Sequence, residues 1–194
     1  MRVLDRFFAS FPNKTVKKGT ILYRPEESIS KIYYLTSGNV RQYVYSTDGN
    51  EFSVHVYKPG SFFPIALVLA DLENRFYFEA ANDIKVRIAQ PAKVLSFLKS
   101  NPKVLMDFTK RLSRGLFGVV SRYEEDKTKL VEERLLSLLN YLSKNFPKYP
   151  TPTHQDLSSW LGVSRETVSR NLKKLENEGK IKKEGRNFFI YIAL

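Results

Sequence analysis

Arg165, Glu166 and Arg170 lie within six residues of one another near the end of a 194-residue chain. Their side chains are of the kinds that read base pairs. An arginine fork donates two hydrogen bonds to O6 and N7 of guanine, and a glutamate carboxylate accepts from N4 of cytosine. Thr153, Ser164 and Thr167 are short hydroxyl residues nearby, suited to phosphate oxygens near helix N-termini. Lys173 adds a point charge suited to a phosphate. This chemistry requires Arg165 and Glu166 to open a helix, so that they enter the major groove first.

The flanking residues supply such a helix. Thr153 with Asp156 forms a capping-box pattern ahead of a short helix, Gln155–Leu161, that buries Leu157, Trp160 and Leu161. Gly162-Val163 makes a turn and Ser164 caps the next helix. Glu166 in its first turn complements the helix dipole. Val168, Leu172 and Leu175 share the buried face, and Gly179 is a natural stop. Ile181–Lys183 and Asn187–Ile192, around Glu184-Gly185, read as a hairpin. Helix, short turn, helix and hairpin make a winged helix-turn-helix. The competing reading is a protein-binding winged helix in which Arg165 and Glu166 pair in solvent.

Upstream, Val131–Asn145 reads as a helix with Leu135, Leu138, Leu139 and Leu142 on one face, and Phe146–Pro152 as a proline-rich loop. From Pro102 to about Asp126 no proline interrupts a helical pattern. Leu105, Phe108, Leu112, Leu116, Val119 and Tyr123 recur at steps of three and four, and Leu105, Leu112 and Val119 keep a seven-residue step. Such a stripe packs either on its own domain's sheet or on a second copy of itself. A long helix between two domains favours the second copy, giving a seam of Leu105, Phe108, Leu112 and Val119. Gly115 and Gly118 either admit close backbone approach or simply weaken the helix. Lys127–Leu130 is a candidate hinge, and Ala92–Lys99 a short helix.

Residues 14–97 read as strands and turns: Lys31–Ser37, Asn39–Thr47, Asn50–Tyr57, Phe76–Ala80 and Ile84–Ala89. Asp48-Gly49 between two aromatic-rich runs signals a type I′ hairpin with positive φ at both residues. Many short strands predict an antiparallel sandwich or barrel. Phe62–Ala70 reads as core or as the wall of an apolar pocket. Tyr33, Tyr34, Tyr43, Tyr45 and Tyr57 fit strand positions better than a stacking platform for single-stranded nucleic acid.

Composition narrows the function further. Net charge is +12, which suggests a polyanionic partner. Hydrophobic residues make up 42%, enough for packed cores. The chain has no cysteine, which excludes disulfides, thiolate zinc sites and cysteine-ligated iron–sulfur clusters. No apolar run approaches the ~18 residues of a membrane span, and the start does not read as a signal peptide. A cytoplasmic protein without membrane contact is therefore expected. No Ser/His/Asp set, metal cluster or P-loop occurs, so no enzyme is expected. His55 and His154 are the only histidines. His55 reads as a strand hydrogen-bonder rather than a haem ligand, and His154 as facing phosphate or solvent.

The segment Ser164–Ile181 (SRETVSRNLKKLENEGKI) resembles the recognition region of the catabolite activator/fumarate–nitrate regulator (Crp/Fnr) family. The strand at Tyr33–Gly38, the hairpin around Asp48-Gly49, the Pro59-Gly60-Ser61-Phe62-Phe63 turn, the long helix and Arg134 are similar to the same family. The resemblance implies an α+β fold: an N-terminal double-stranded β-roll of the cyclic-nucleotide-binding type, a long dimerisation helix and a C-terminal winged helix-turn-helix. It implies a homodimer on double-stranded DNA reading a palindromic operator with half-sites like TGTGA. Arg165, Glu166 and Arg170 would be base readers. Thr153, Gln155, Ser164 and Thr167 would be phosphate or flanking contacts. RNA polymerase would be a partner if the protein activates.

The family pattern also fails in places. Members that bind cyclic nucleotides carry Gly-Glu where this chain has Pro64-Ile65, Arg-Ser near Arg75-Phe76, and Thr-Ser where it has Val119-Val120. Phe62, Phe63, Arg75, Phe76, Val119 and Val120 remain the expected effector pocket, for a small molecule other than cyclic AMP or for none. The expected divisions are residues 1–100, 101–130 and 131–194. Two rival functions are a nonspecific nucleic-acid binder and an effector-binding module whose winged helix contacts protein.

Overall fold

The computed structural model describes residues 3–146, 150–184 and 187–190. The chain divides into two compact units, Met1–Val44 with Val54–Gly118, and Tyr45–Ser53 with Val119–Leu194.

The first unit begins with α1 (Val3–Ala9), followed by β1 (Asn13–Val16), β2 (Ile21–Tyr23), β3 (Ile32–Ser37) and β4 (Val40–Tyr45). Next come β5 (Glu51–Tyr57), β6 (Phe62–Phe63), α2 (Ile65–Leu69), β7 (Tyr77–Ala80), β8 (Ile84–Ala89) and α3 (Pro91–Ser100). The strands form two four-stranded sheets, ordered β1-β8-β3-β6 and β2-β7-β4-β5. This is the double-sheet architecture that the many short strands predicted.

The two faces of β3 explain its unbroken apolar run. Successive strand side chains alternate between faces. Tyr33 and Leu35 join Val16, Tyr23, Val40, Phe63, Phe78, Ile84 and Val86 in one core. Ile32 and Tyr34 join Leu4, Phe8, Phe62, Ile65, Val94 and Leu98 in another, beneath the helices. A strand buried on both sides needs no polar alternation. Neither α1 nor α2 stood out in the sequence, because each is under two helical turns long.

The hairpin at Asp48 departs from expectation. Gly49 takes a φ of 78°, whereas Asp48 keeps the ordinary negative sign. The connection runs over Ser46–Asn50 rather than two residues, and the Gly49 amide donates to the Ser46 carbonyl at 3.0 Å. A longer loop accommodates an ordinary turn ending in a left-handed glycine, so the type I′ geometry is not needed.

α4 (Pro102–Thr128) is a continuous helix, longer than the pattern indicated, since it runs on through Lys127 and Thr128. The break that follows is confined to Lys129 and Leu130, before α5 (Val131–Asn145). Phe108 is the one buried residue of α4. It packs on Phe62, ring centroids 4.8 Å apart, and so belongs to the first unit's core rather than to the expected seam. The rest of the stripe is exposed: Leu105 38%, Leu112 45%, Leu116 65%, Val119 49% and Tyr123 66%. An atom added at Gly115 or Gly118 would meet nothing within 4 Å, so neither glycine serves a close approach within the chain.

The inter-sheet core holds phenols as well as hydrocarbon. Tyr57 stacks on Phe63 at 4.7 Å and donates its enclosed hydroxyl to Gln42 Oε1 at 2.9 Å. Burial pushes the Tyr33 phenol up to about 12, and pushes the Tyr57 phenol further in the same direction. An unfolded tyrosine titrates near ~10. Between these values the unfolded chain releases protons that the folded chain keeps, so this stability is complete below pH ~10 and is lost as pH rises through the folded values. Urea denaturation should therefore show stability falling from about pH 10 upward. The Tyr57→Phe variant should show a shallower fall. At pH 7 it should be less stable by about 1–3 kcal/mol, because Gln42 Oε1 loses its donor. An unchanged alkaline slope in Tyr57→Phe would refute the assignment.

Candidate nucleic-acid interface

The second unit contains α5, α6 (His154–Leu161), α7 (Arg165–Asn177), β9 (Ile181–Glu184) and β10 (Asn187–Ile190). Glu133 accepts from the Leu130 amide at 2.9 Å and so caps the start of α5. Leu135, Leu138, Leu139 and Leu142 are its buried face, as their spacing predicted. α6 opens with the expected capping box: the Asp156 amide donates to Thr153 Oγ1 at 3.1 Å, and the Thr153 amide to Asp156 Oδ2 at 2.7 Å. α6 buries Leu157 and Leu161, while Trp160 is only half-buried.

At Gly162 the chain turns in the left-handed conformation, φ 63°. Only glycine adopts this without strain from a Cβ. Ser164 then caps α7 by accepting from the Thr167 amide at 3.1 Å. Val168, Leu172 and Leu175 bury one face of α7, and Ile181 of β9 is 2% exposed. β9 pairs antiparallel with β10 as the wing hairpin. The turn at Gly185 and the strand expected beyond Ile190 lie outside the described residues, as does Pro147 of the preceding loop.

Burying one face of α7 turns out the other. Arg165, Glu166, Arg170 and Lys173 are all exposed. Ser169 is exposed with them and was not singled out from the sequence. Its place was legible all the same, because positions 166, 169, 170 and 173 follow the i, i+3, i+4, i+7 rule of a single helix face. Glu166 accepts from its own backbone amide and from the Ser164 hydroxyl, which holds its carboxyl below the usual range. It is therefore an anion at neutral pH, able to accept from a base amino group and repelled by phosphate.

The hydroxyls divide by what they already bond. Thr153 Oγ1 donates to Asp156 Oδ2 at 2.7 Å, so the cap commits its proton. Ser164 Oγ and Thr167 Oγ1 stand 3.1 Å apart, and one of them donates to the other. Gln155 is exposed and His154 half-buried. The neighbouring lysines of α7 also differ. Lys174 pairs with Glu132 of α5, and Lys180 reaches both Glu132, at 3.7 Å, and Glu178, at 2.7 Å. These pairs tie α7 to α5, while Lys173 projects from the exposed face.

The expected effector-pocket residues are not alike in position. Phe62 and Phe63 are both buried but lie in different cores. Arg75 is exposed, and its neighbour Asn74 is turned inward instead. Asn74 Nδ2 donates to the Arg24 and Phe76 carbonyls at 2.6 and 2.9 Å, and the Phe76 amide donates to Asn74 Oδ1 at 3.0 Å. Phe76 packs at the edge of the inter-sheet core. Val119 and Val120, in the second unit, are about half exposed. Ile65 is 1% exposed beneath the helices. His55 packs edge-on against Tyr57 at 4.7 Å. Among the described residues no group of three or more His, Asp or Glu side chains could hold a metal, and no helix is long and apolar enough to cross a membrane.

Comparison with known proteins agrees with this architecture. Residues 13–101 match the cyclic nucleotide-binding domain family, and residues 133–193 match the Crp-like helix-turn-helix domain family. The cAMP-activated global transcriptional regulator CRP of Pasteurella multocida is 26% identical over 187 residues, 92% of this chain and 89% of its own length. The transcriptional regulator SdrP of Thermus thermophilus is 28% identical over 160 residues, 78% of this chain and 75% of its own. In fold, the c-di-GMP responsive global regulator CLP of Xanthomonas campestris matches with a TM-score of 0.82 at 21% identity, covering 98% of each chain. A transcriptional regulator of the CRP/FNR family from Thermus thermophilus matches with a TM-score of 0.78 at 24% identity, over 93% of this chain and 94% of the other. With a nucleotide-binding-type β-domain, a long helix and a Crp-like helix-turn-helix in that order, this chain belongs to the Crp/Fnr family of transcription regulators.

Proposed function

We propose that this protein is a homodimer that reads a palindromic operator in double-stranded DNA, with one α7 in each of two successive major grooves. The observation that carries this reading is the single exposed face of α7, where Arg165, Glu166, Ser169, Arg170 and Lys173 stand beyond a buried apolar stripe. Arg165, Glu166 and Arg170 read base edges. Lys173, Gln155, Ser164 and Thr167 contact phosphates. Thr153 contributes chiefly by capping α6. Residues 1–100 form the effector-type domain, 101–130 the dimerisation helix with its hinge, and 131–194 the DNA-binding domain. Such a regulator works in the cytoplasm, has no catalytic activity and contacts RNA polymerase where it activates.

Base reading and charge neutralisation leave different signatures. Alanine at Arg165, Glu166 or Arg170 should lower affinity about tenfold to a hundredfold on the matched sequence and relax preference at one base pair per half-site. Lys173→Ala should weaken all sequences alike and reduce the salt dependence. Binding measured on matched and scrambled duplexes at fixed salt separates the two. Equal losses on both duplexes for all three alanine variants would remove the base-reading assignment.

The exposed stripe on α4 supports the dimer. Leu105, Leu112 and Val119, joined by Leu116 and Tyr123, present a continuous apolar face that a parallel copy of α4 would bury. The dimer would hold two recognition helices about 34 Å apart. Leu112→Glu places two carboxylates against each other there and should give monomers by light scattering, with weak operator binding. A dimeric Leu112→Glu protein would count against this seam.

Cyclic AMP is not the effector of this protein. One relative is named as cAMP-activated, but a cyclic nucleotide needs converging polar partners, and this chain offers few. Ile65, where nucleotide-binding members carry glutamate, is buried in hydrocarbon. Arg75 is exposed, Asn74 is spent on backbone, and Tyr57, Phe63 and Phe78 stack through the inter-sheet core. A ribose hydroxyl buried there would lose its partner. Isothermal titration with cyclic AMP and cyclic GMP should show no binding tighter than about 10 μM. Tighter binding coupled to a gain in operator affinity would overturn this point, because a ligand shifts the DNA-competent state only by its differential affinity.

A further inference from the structure

Resting on the DNA-reading function proposed above, we infer that Arg134 is a positioning residue that registers the recognition helix on the end of α4. Its side chain is 12% exposed, and Nη2 donates to the Leu161 carbonyl at 2.6 Å. The same nitrogen pairs with the Asp126 carboxylate. One guanidinium, carried by the first turn of α5, therefore joins the last turn of α4 to the last residue of α6.

The acceptor on α6 is significant. Leu161 is the final residue of that helix, and Gly162 and Val163 are all that separate it from the Ser164 cap of α7. The last four carbonyls of a helix lack intrahelical partners and carry the negative end of its dipole. A cation donated there satisfies both. One turn earlier on α4, the Arg122 guanidinium lies 6.0 Å over the ring of Trp160, a cation–π distance. Two arginines thus hold adjacent residues at the point where the chain turns into the recognition helix.

The clasp spans the one non-helical step between α4 and α5, Lys129–Leu130. Rotation about those two residues would leave every helix intact while disturbing the Leu130–Glu133 cap of α5. It would still swing α7 relative to α4. Two recognition helices must meet one operator at a fixed spacing, so such freedom would degrade sequence-specific binding while leaving nonspecific phosphate contact nearly unchanged. The leucine face of α5 accounts for the packing of the domain, and Arg134 contributes the orientation.

The test uses the full-length protein and its Arg134→Ala, Arg134→Lys and Asp126→Asn variants. A duplex enriched by wild type from a random pool is compared with a scrambled duplex of equal length at one salt concentration. Trp160 is the only tryptophan in the chain, so its emission reports directly on the end of α6. Arg134→Ala should lose about tenfold affinity for the enriched duplex, the scale of a lost charge-assisted hydrogen bond. Its affinity for the scrambled duplex and its helical circular dichroism should stay at wild-type values, and its Trp160 emission should shift to the red. Arg134→Lys, which keeps the charge, should fall between. Wild-type affinity with unshifted emission in Arg134→Ala overturns the inference, and so does equal loss on both duplexes with loss of helical signal. Should Arg134→Ala fail to fold, Asp126→Asn takes its place, and full retention of enriched-duplex affinity in that variant overturns the inference. If wild type enriches no sequence, the DNA-reading function itself falls, and the Trp160 emission alone then decides the clasp.

Discussion

The turn at Gly162 depends on a backbone conformation that a Cβ would strain, and the recognition surface depends on that turn. Three residues separate α6 from α7. A positive φ at Gly162 lets the chain reverse within that distance, and the Ser164 cap starts the next helix at once. Burial of Val168, Leu172 and Leu175 then fixes the rotation of α7 about its own axis. Once that rotation is set, the exposed side must be the one bearing Arg165, Glu166, Ser169, Arg170 and Lys173. Two different constraints thus act on one helix: a backbone dihedral fixes where it begins, and a hydrophobic stripe fixes which way it faces.

In the first unit, burial decides which residues of the nucleotide-binding-type domain remain open. At two of the positions where nucleotide-binding family members present polar groups, this chain carries Ile65 and Phe76, which pack within the domain. Ile65 lies under the helices, and Asn74 ties the Arg24 and Phe76 backbones together. Phe63 and Phe78 stack at 5.8 Å between the sheets. Packing of this kind stabilises the domain without a ligand and leaves few unpaired donors for an anion.

α4 has two sides with different tasks. Phe108 packs into the first unit's core against Phe62, while the stripe from Leu105 to Tyr123 stays open. Within the second unit, the far end of α4 is held to α5 and α6 by polar contacts, the Arg134–Asp126 pair and the Arg122 ring contact with Trp160. The exposed stripe and the polar contacts at the helix end are separate features, so the Leu112 and Arg134 variants test them independently.

Much of this was legible in the residue pattern. The bounds of α5 and β8, the capping box at Thr153, the glycine turn and the buried stripe of α7 all rest on local rules. Each such rule, whether helical or strand periodicity, a cap or a turn residue, involves neighbours within about four positions. Ser169 was within reach of the same reasoning. What the sequence alone could not decide was which of two apolar roles a residue plays. Phe108 shares its helical period with Leu112 and Val119, and only the presence of Phe62 opposite it makes it core. Arg75 and Asn74 are adjacent in the loop before β7, and the asparagine turns inward where the Arg24 and Phe76 backbones offer it partners. Arg134 stood out only by resemblance, since its partners Asp126 and Leu161 are eight residues before it and twenty-seven after. Local periodicity determines where elements lie. Long-range packing determines what each face meets, and no spacing along the chain encodes that.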